Sequence, residues 1–201
     1  EKAELYRDWH RPLEDDEVVQ YNNFISRRLS GEPVAYITGH KEFMGLDFFV
    51  NRSVLIPRPE TELLVENALK LMPPFPLVAD VGTGSGAIGV SLAYFNRQAL
   101  VYATDRSKEA LEVARLNIAR HGVSDRVFLH RGDLLQPLHS CLAAGGVDLI
   151  AANLPYVAES DLSALPEEVG MFEPRLALDG GVDGLELYRR LVPEAAAFLK
   201  K

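Results

Sequence analysis

Apolar residues at Val18, Tyr21, Ile25 and Leu29 recur at steps of three and four, which puts them on one helix face with Arg27 and Arg28 turned largely away. Residues 1–30 are therefore expected to be helical, though they are too few to make a domain alone. From Gly31 to Pro59 the pattern shortens to β-like pieces. Lys41 to Met44 and Leu46 to Val50, on either side of Gly45, predict a hairpin or a bent strand. Pro57 and Pro59 interrupt regular structure, Glu60 to Leu71 reads as a helix with acidic residues in its first turn, and Pro73, Pro74 and Pro76 end it at the expected boundary.

Beyond that boundary, strand and helix patterns alternate. Leu77 to Val81 is a buried-strand run, Gly86 to Phe95 is helical, Leu100 to Thr104 is a strand, and Ser107 to His121 is a helix with Ser107 as its N-cap and Gly122 as its stop. Val127 to His130 and Val147 to Ala152 supply two more strands, and Leu185 to Lys201 a last helix. The strands are continuous apolar runs, as expected where helices cover both faces of a sheet. The fold class that follows is α/β: a doubly wound, mostly parallel sheet of about four strands, preceded by a helical segment and a hairpin.

Composition narrows the class without changing it. With 201 residues and 47% of them hydrophobic, the chain can bury one substantial core. No run approaches the roughly 18 apolar residues that span a bilayer, and the first residues, Glu1-Lys2-Ala3-Glu4, lack the features of a signal peptide, so no membrane partner and a cytoplasmic location are expected. Cys141 is the single cysteine, and His10, His40, His121, His130 and His139 show no metal-binding spacing, so neither a disulfide nor a protein metal site is expected. The formal charge of −8 disfavours a non-specific grip on nucleic acid.

Candidate chemistry begins at Asp80-Val81-Gly82-Thr83-Gly84-Ser85-Gly86, where the first long strand turns into a helix. Glycines there let the backbone adopt positive φ and approach a nucleotide-like cofactor. Gly84-Ser85-Gly86-Ala87-Ile88-Gly89 also satisfies the weak G-x-G-x-x-G dinucleotide pattern, so NAD is one candidate. Asp80 favours another. A carboxylate against the loop opposes a pyrophosphate, whereas S-adenosylmethionine carries an ammonium and no phosphate. Asp105, at the end of the second strand, is placed to accept from ribose hydroxyls of either cofactor. Asp133 and Leu134, just past the third strand, are placed for the exocyclic amine and the ring of adenine.

Asn153-Leu154-Pro155-Tyr156 follows the fourth strand, at the same carboxyl edge. The Asn153 side-chain oxygen and the Leu154 carbonyl can accept both hydrogens of a planar NH₂ group, Pro155 fixes the backbone path, and Tyr156 offers an aromatic face. Holding both hydrogens favours lone-pair character on a nitrogen that is otherwise a poor nucleophile, and holding it in line with a sulfonium methyl supplies the orientation for transfer. The bland alternatives are a turn at Asn153, a strand end at Pro155 and core filling by Tyr156.

With those residues in view, the chain resembles the release-factor glutamine methyltransferase family, the HemK-type proteins, nearly end to end. Carrying segments are Gly31-Glu32-Pro33-Val34-Ala35-Tyr36-Ile37-Thr38-Gly39, Glu42-Phe43, Leu55-Ile56-Pro57-Arg58-Pro59-Glu60-Thr61-Glu62, the Asp80–Gly86 loop, Asn153–Tyr156 and Glu173-Pro174-Arg175-Leu176-Ala177-Leu178. The resemblance implies a Rossmann-like methyltransferase fold and S-adenosylmethionine, converted to S-adenosylhomocysteine. It implies N5-methylation of the glutamine in the Gly-Gly-Gln motif of a peptide chain release factor. Gly82, Thr83, Gly84, Ser85, Gly86, Asp105, Leu134 and Asn153 would touch the cofactor. Asn153 to Tyr156 would hold the glutamine, and Phe43 with Pro57 to Glu62 would wall the pocket.

In family terms, residues 1–32 would be a remnant of a helical substrate-binding domain, 33–76 a hairpin and linker helix, and 77–201 the cofactor-binding domain, with its last strands missing and one sheet edge exposed. A monomer without direct nucleic-acid contact is expected. The family's tetrapeptide is Asn-Pro-Pro-Tyr. Leu154 in place of the first proline keeps the carbonyl and loses the rigidity. The rival readings are an adenine-N6 nucleic-acid methyltransferase, an inactive S-adenosylmethionine-binding remnant, and an NAD dehydrogenase.

Overall fold

A computed structural model of the chain describes residues 2–142 and 146–200. The expected single helical stretch over 1–30 is corrected to two helices, α1 (Lys2–Arg7) and α2 (Asp15–Leu29). Pro12 keeps Arg11 out of helical backbone, and the Glu17 carboxylate accepts the Glu14 N–H at 2.9 Å, starting a new helix there. The stripe of α2 is not covered. Val18 and Ile25 are 40% exposed, Tyr21 is 56% and Leu29 is 82% exposed, and the helix buries no residue.

A second correction falls at Gly31 to Pro59, where a short helix, α3 (Val34–Thr38), precedes the hairpin. Its β-branched residues imitate a strand, yet Pro33 opens it, Gly39 at φ 75° closes it, and Tyr36 and Ile37 bury their side chains. The hairpin forms as expected from β1 (His40–Phe43) and β2 (Leu46–Phe49), with His40 opposite Phe49 and Phe43 opposite Leu46. Met44 and Gly45 take φ values of 53° and 70°, the primed turn that matches strand twist. Helix α4 (Pro59–Leu71) follows.

Four strands make the main sheet: β3 (Leu77–Val81), β4 (Leu100–Asp105), β5 (Val127–Arg131) and β6 (Leu149–Ala152), all parallel and in the order β5-β4-β3-β6. Between them run α5 (Ala87–Phe95) and α6 (Lys108–Arg120); a one-turn α7 (Glu167–Gly170) and α8 (Glu186–Phe198) follow β6. Ser107 caps α6 by accepting the Ala110 N–H at 3.0 Å. Gly86 is the N-cap of α5 rather than its first residue.

Alternation along the strands sorts the core into two faces. Val78, Val101 and Ala103 join α4, α5 and the hairpin phenylalanines in one cluster, while Ala79 and Val81 join Leu134, Leu138 and α8 in another. The sheet is thus covered on both sides, a Rossmann-like doubly wound arrangement.

Register fixes where the chemistry lies. Val81 pairs with Thr104 on one side and Ala152 on the other, so the residues that follow, Gly82, Asp105 and Asn153, emerge together at one edge. After β5 the chain crosses to the other side of β3, which makes the gap between β3 and β6 the switch point where ligands settle in open α/β sheets. The strand expected from Val147 begins at Leu149, with Val147 itself bridged to Leu199. The last helix, expected through Lys201, ends at Phe198, and Lys200 then donates to the Val147 carbonyl at 2.9 Å, beside β6 on the side away from β3.

Candidate active site

A cavity of about 350 Å³ opens at that carboxyl edge and reaches from the glycine loop to Asn153. Gly82 to Ser85, Asp105, Asp133 and Leu134 line one end. Asn153, Leu154 and Pro155 line the other, with Val54, Pro57 and Thr61 from one wall and Pro174, Leu176, Ala177 and Leu187 from the opposite one.

The glycine loop is shaped from beneath. Asp80 is fully buried on the α5 side of the sheet, and its Oδ2 accepts the Thr83 hydroxyl at 2.6 Å and the Gly89 N–H at 2.9 Å. A Cβ on Gly89 would lie 2.8 Å from that oxygen, so this glycine is required by close approach. Burial raises the Asp80 carboxyl to about 6. Asp80 does not line the cavity; the structure gives it a loop-bracing position in place of the expected direct contact with a cofactor. Gly82, Gly84 and Gly86 take φ values of 73°, 55° and 82°, backbone that only glycine adopts without strain.

Asp105 does line the cavity. Its two oxygens accept the Gly84 N–H and the Ser107 N–H, both at 2.9 Å, and each retains an accepting lone pair; burial raises its pKa above the ordinary carboxylate value. Asp133 is held by the Arg190 guanidinium through Oδ2, while its Oδ1 is buried without a hydrogen-bond partner. Arg106 stands 3.9 Å from that oxygen, too far to satisfy it. An orphaned carboxylate oxygen beside a positive-φ glycine cradle fits an amine-bearing adenosyl group.

At the other end, Asn153 Nδ2 donates to Thr61 Oγ1 at 3.2 Å, and Asn153 Oδ1 takes no hydrogen bond from the described residues. The Leu154 carbonyl accepts the Tyr188 hydroxyl at 3.2 Å. The Leu154 side chain is 3% exposed and packs over the glycine loop, its Cδ2 standing 3.2 Å from where a Gly82 Cβ would lie. Tyr156 is not brought in: it is 63% exposed and outside the cavity lining. Phe43 is corrected from pocket wall to core, since it is 1% exposed and stacks edge-on with Phe48. Of the Pro57–Glu62 stretch only Pro57 and Thr61 face the cavity; Glu62 instead accepts the Met44 N–H at 2.7 Å in the hairpin turn.

Sequence reasoning missed the residues that brace this arrangement. Asn117, fully buried on α6, accepts the Phe49 N–H at 2.8 Å and donates to the carbonyls of Phe49 at 3.0 Å and Ser85 at 2.8 Å, tying the hairpin to the glycine loop. A lone polar residue in the apolar stripe of a helix was the available signal. Glu173, 6% exposed, accepts from the Arg58 guanidinium and the Ile56 N–H, joining the two walls. Glu32 is buried between Arg27 and Arg52, whose guanidinium groups lower its carboxyl to about 2. Gly180 and Gly184 leave room for the backbone around Tyr156: a Cβ at Gly180 would stand 2.8 Å from the Tyr156 Cα, and one at Gly184 would collide with the Tyr156 carbonyl.

Comparison with known proteins agrees with this geometry. Residues 77–178 match the methyltransferase-domain family, and residues 1–39 match the PrmC N-terminal domain. The release factor glutamine methyltransferase of Geobacter sulfurreducens is 44% identical over 199 residues, covering 99% of this chain and 68% of that protein. The enzyme of the same description from Moorella thermoacetica is 49% identical over 88% of this chain and 61% of its own length. That of Chlorobaculum tepidum is 40% identical over 100% of this chain and 70% of its own. The chain thus spans roughly two thirds of the length of these relatives. Among solved structures, the ribosomal protein L11 methylase of Lactobacillus delbrueckii subsp. bulgaricus has the same fold at a TM-score of 0.50 and 24% identity, over 75% of this chain and 60% of that one.

Proposed function

The chain belongs to the release factor glutamine methyltransferase family, and from that premise we propose that it methylates the side-chain amide nitrogen of the glutamine in the Gly-Gly-Gln motif of a peptide chain release factor. The observation that carries this reading is that Asn153 and Leu154 line the same cavity as the glycine loop, at one edge of the sheet, where Asn153 Oδ1 and the Leu154 carbonyl are the acceptors on offer.

S-adenosylmethionine is the cofactor, and when bound it supplies an electrophilic methyl group on a positively charged sulfur. For it, the Gly82–Gly86 backbone offers a cradle, Asp105 acceptors for ribose hydroxyls, Asp133 Oδ1 an acceptor for the adenine amine, and Leu134 an apolar face. Asp80 braces the loop and adds negative charge beneath it, which favours a cationic ligand.

For the glutamine, Asn153 Oδ1 and the Leu154 carbonyl accept the two amide N–H groups. The nitrogen then keeps its position while its lone pair stands perpendicular to the amide plane, clear of both acceptors. Thr61, by accepting a hydrogen bond from Asn153 Nδ2, turns the side-chain oxygen into the acceptor position. Pro57, Pro155 and Pro174 line the cavity with surfaces that offer no N–H, so water gains little by competing for the acceptors. Tyr156, exposed and next in the chain to Pro155, is available to a protein substrate. No strong base is needed before transfer: the N–CH₃ bond would form as the S–CH₃ bond breaks and the sulfonium becomes a neutral thioether, and the methylated amide, then cationic, would release one of its two protons to solvent. The reading extends to a monomeric cytoplasmic protein without direct nucleic-acid contact, supported by the formal charge of −8. No helix among the described residues is long and apolar enough to cross a membrane.

The test is mass spectrometry of a release factor incubated with this chain and S-adenosylmethionine. One added methyl on the Gly-Gly-Gln glutamine, lost in Asn153→Ala, is the expected result. Methyl label appearing only in an oligonucleotide would reassign the NH₂ group to adenine, and cofactor binding with no transfer would leave a binding remnant.

A further inference from the structure

The Tyr188 hydroxyl donates to the Leu154 carbonyl at 3.2 Å, although it comes from α8, 34 residues further along the chain. That carbonyl is one of the two acceptors to which the glutamine reading, on which this inference rests, assigns a substrate N–H. The geometry points to Tyr188 as a positioning residue: it fixes the plane of the Leu154–Pro155 peptide so that the carbonyl's second lone pair faces the cavity, replacing rigidity that a proline at position 154 would have supplied.

Three observations support this assignment. A carbonyl oxygen has two lone pairs, so donation from Tyr188 leaves one free for substrate. Leu154 lacks the ring that would fix φ, so the direction of its carbonyl depends on φ as well as ψ; its side chain, 3% exposed in the cluster formed by Val81, Leu134 and Leu191, restrains that torsion at Cα, and the Tyr188 bond restrains it at the carbonyl. Tyr188 packs its ring against the same cluster, which leaves its hydroxyl little freedom beyond that bond. Removing the hydroxyl would let the carbonyl swing while the fold and the cofactor end of the cavity stay as they are, since Tyr188 does not line the cavity.

Tyr188→Phe deletes the donor and keeps the ring. The expected result with a Gly-Gly-Gln peptide is a kcat about tenfold lower, with the dissociation constant for S-adenosylhomocysteine within about twofold of wild type and the thermal midpoint nearly unchanged. With the Leu154 carbonyl carbon labelled by ¹³C, the wild-type resonance should shift in Tyr188→Phe without any substrate present, as a lost hydrogen bond requires. In a Leu154→Pro background, where ring closure supplies the rigidity, the same Tyr188→Phe change should cost less than about threefold in kcat.

An unchanged ¹³C resonance, or a kcat equal to wild type, overturns the positioning role while leaving the glutamine reading intact. Tighter peptide binding in Tyr188→Phe also overturns it, since the hydroxyl would then be competing with substrate. A wild-type chain that binds cofactor but methylates no glutamine peptide overturns both.

Discussion

At the residue scale, the acceptors proposed for the substrate are each oriented by a hydrogen bond to another side chain of the chain. Asn153 is the clearest case, because an amide can present either its oxygen or its nitrogen and only Thr61 decides which. Thr61→Val keeps the shape and removes the acceptor for Nδ2. One neutral hydrogen bond is worth about 1 kcal/mol, so kcat should fall roughly fivefold with cofactor affinity unchanged. Steady-state kinetics alongside calorimetric cofactor titration would separate the two, and an unaltered kcat would remove Thr61 from this role. Asp80 gives a pH-dependent counterpart. Its carboxyl, ordinarily at 3.8, is raised to about 6 by burial, so between those values the folded chain holds a proton that the unfolded chain has released. Stability therefore falls as pH rises through that window and is flat above it. Asp80→Asn should lack this slope of roughly 1.4 kcal/mol per pH unit. Urea unfolding of both proteins at steps from pH 4 to 7 would show parallel curves if Asp80 titrated normally.

Elements are positioned by buried polar groups that tie distant segments together. Asn117 fastens β2 to the glycine loop through three hydrogen bonds, so α6 transmits the hairpin's position to the cofactor end of the cavity. In Asn117→Ala the Phe49 N–H and two carbonyls lose their partner inside the core, which should cost about 3 kcal/mol and weaken S-adenosylhomocysteine binding severalfold. Denaturant unfolding and calorimetry would register both changes, and a loss of stability with full cofactor affinity would confine Asn117 to packing. Arg58 and Glu173 join the cavity walls in the same manner, the carboxylate accepting from both the guanidinium and the Ile56 N–H. The α2 stripe behaves differently. Its periodicity makes a helix, but none of its residues is buried.

Over the whole molecule, one cavity spans the switch point, and its occupation should be visible in global stability. A ligand that binds only the folded state at about a hundred times its dissociation constant adds about 2.7 kcal/mol. For a chain of this size that corresponds to a rise in melting temperature of roughly 5 to 10 °C. S-adenosylhomocysteine should produce such a shift in a thermal scan, and NADH should not, because the Asp80 carboxylate beneath the glycine loop opposes a pyrophosphate. A shift with NADH alone would return the dinucleotide reading. The sheet's outer edge at β6 is partly occupied by Lys200 donating to Val147, so the open edge expected for a four-stranded sheet is shorter than the strand count suggests.

Local rules were enough for much of this protein. Continuous apolar runs specified the four parallel strands, glycine and serine punctuated α6, and a turn glycine opened the hairpin, because each depends on neighbours within a few residues. The same rules put the glycine loop, Asp105 and Asn153 on one edge, since parallel strands all end at the same side of the sheet. Where local propensity was ambiguous it misled: Val34–Thr38 has the β-branched residues of a strand and folds as a helix once Tyr36 and Ile37 find a core. Side-chain direction was beyond its reach. That Asp80 braces the loop from below, that Phe43 is core and Tyr156 surface, and that Thr61, Asn117 and Tyr188 act on residues far along the chain were decided by tertiary contact. A hydrogen bond between segments leaves no periodic trace in either one, and only the packing of the sheet brings donor and acceptor together.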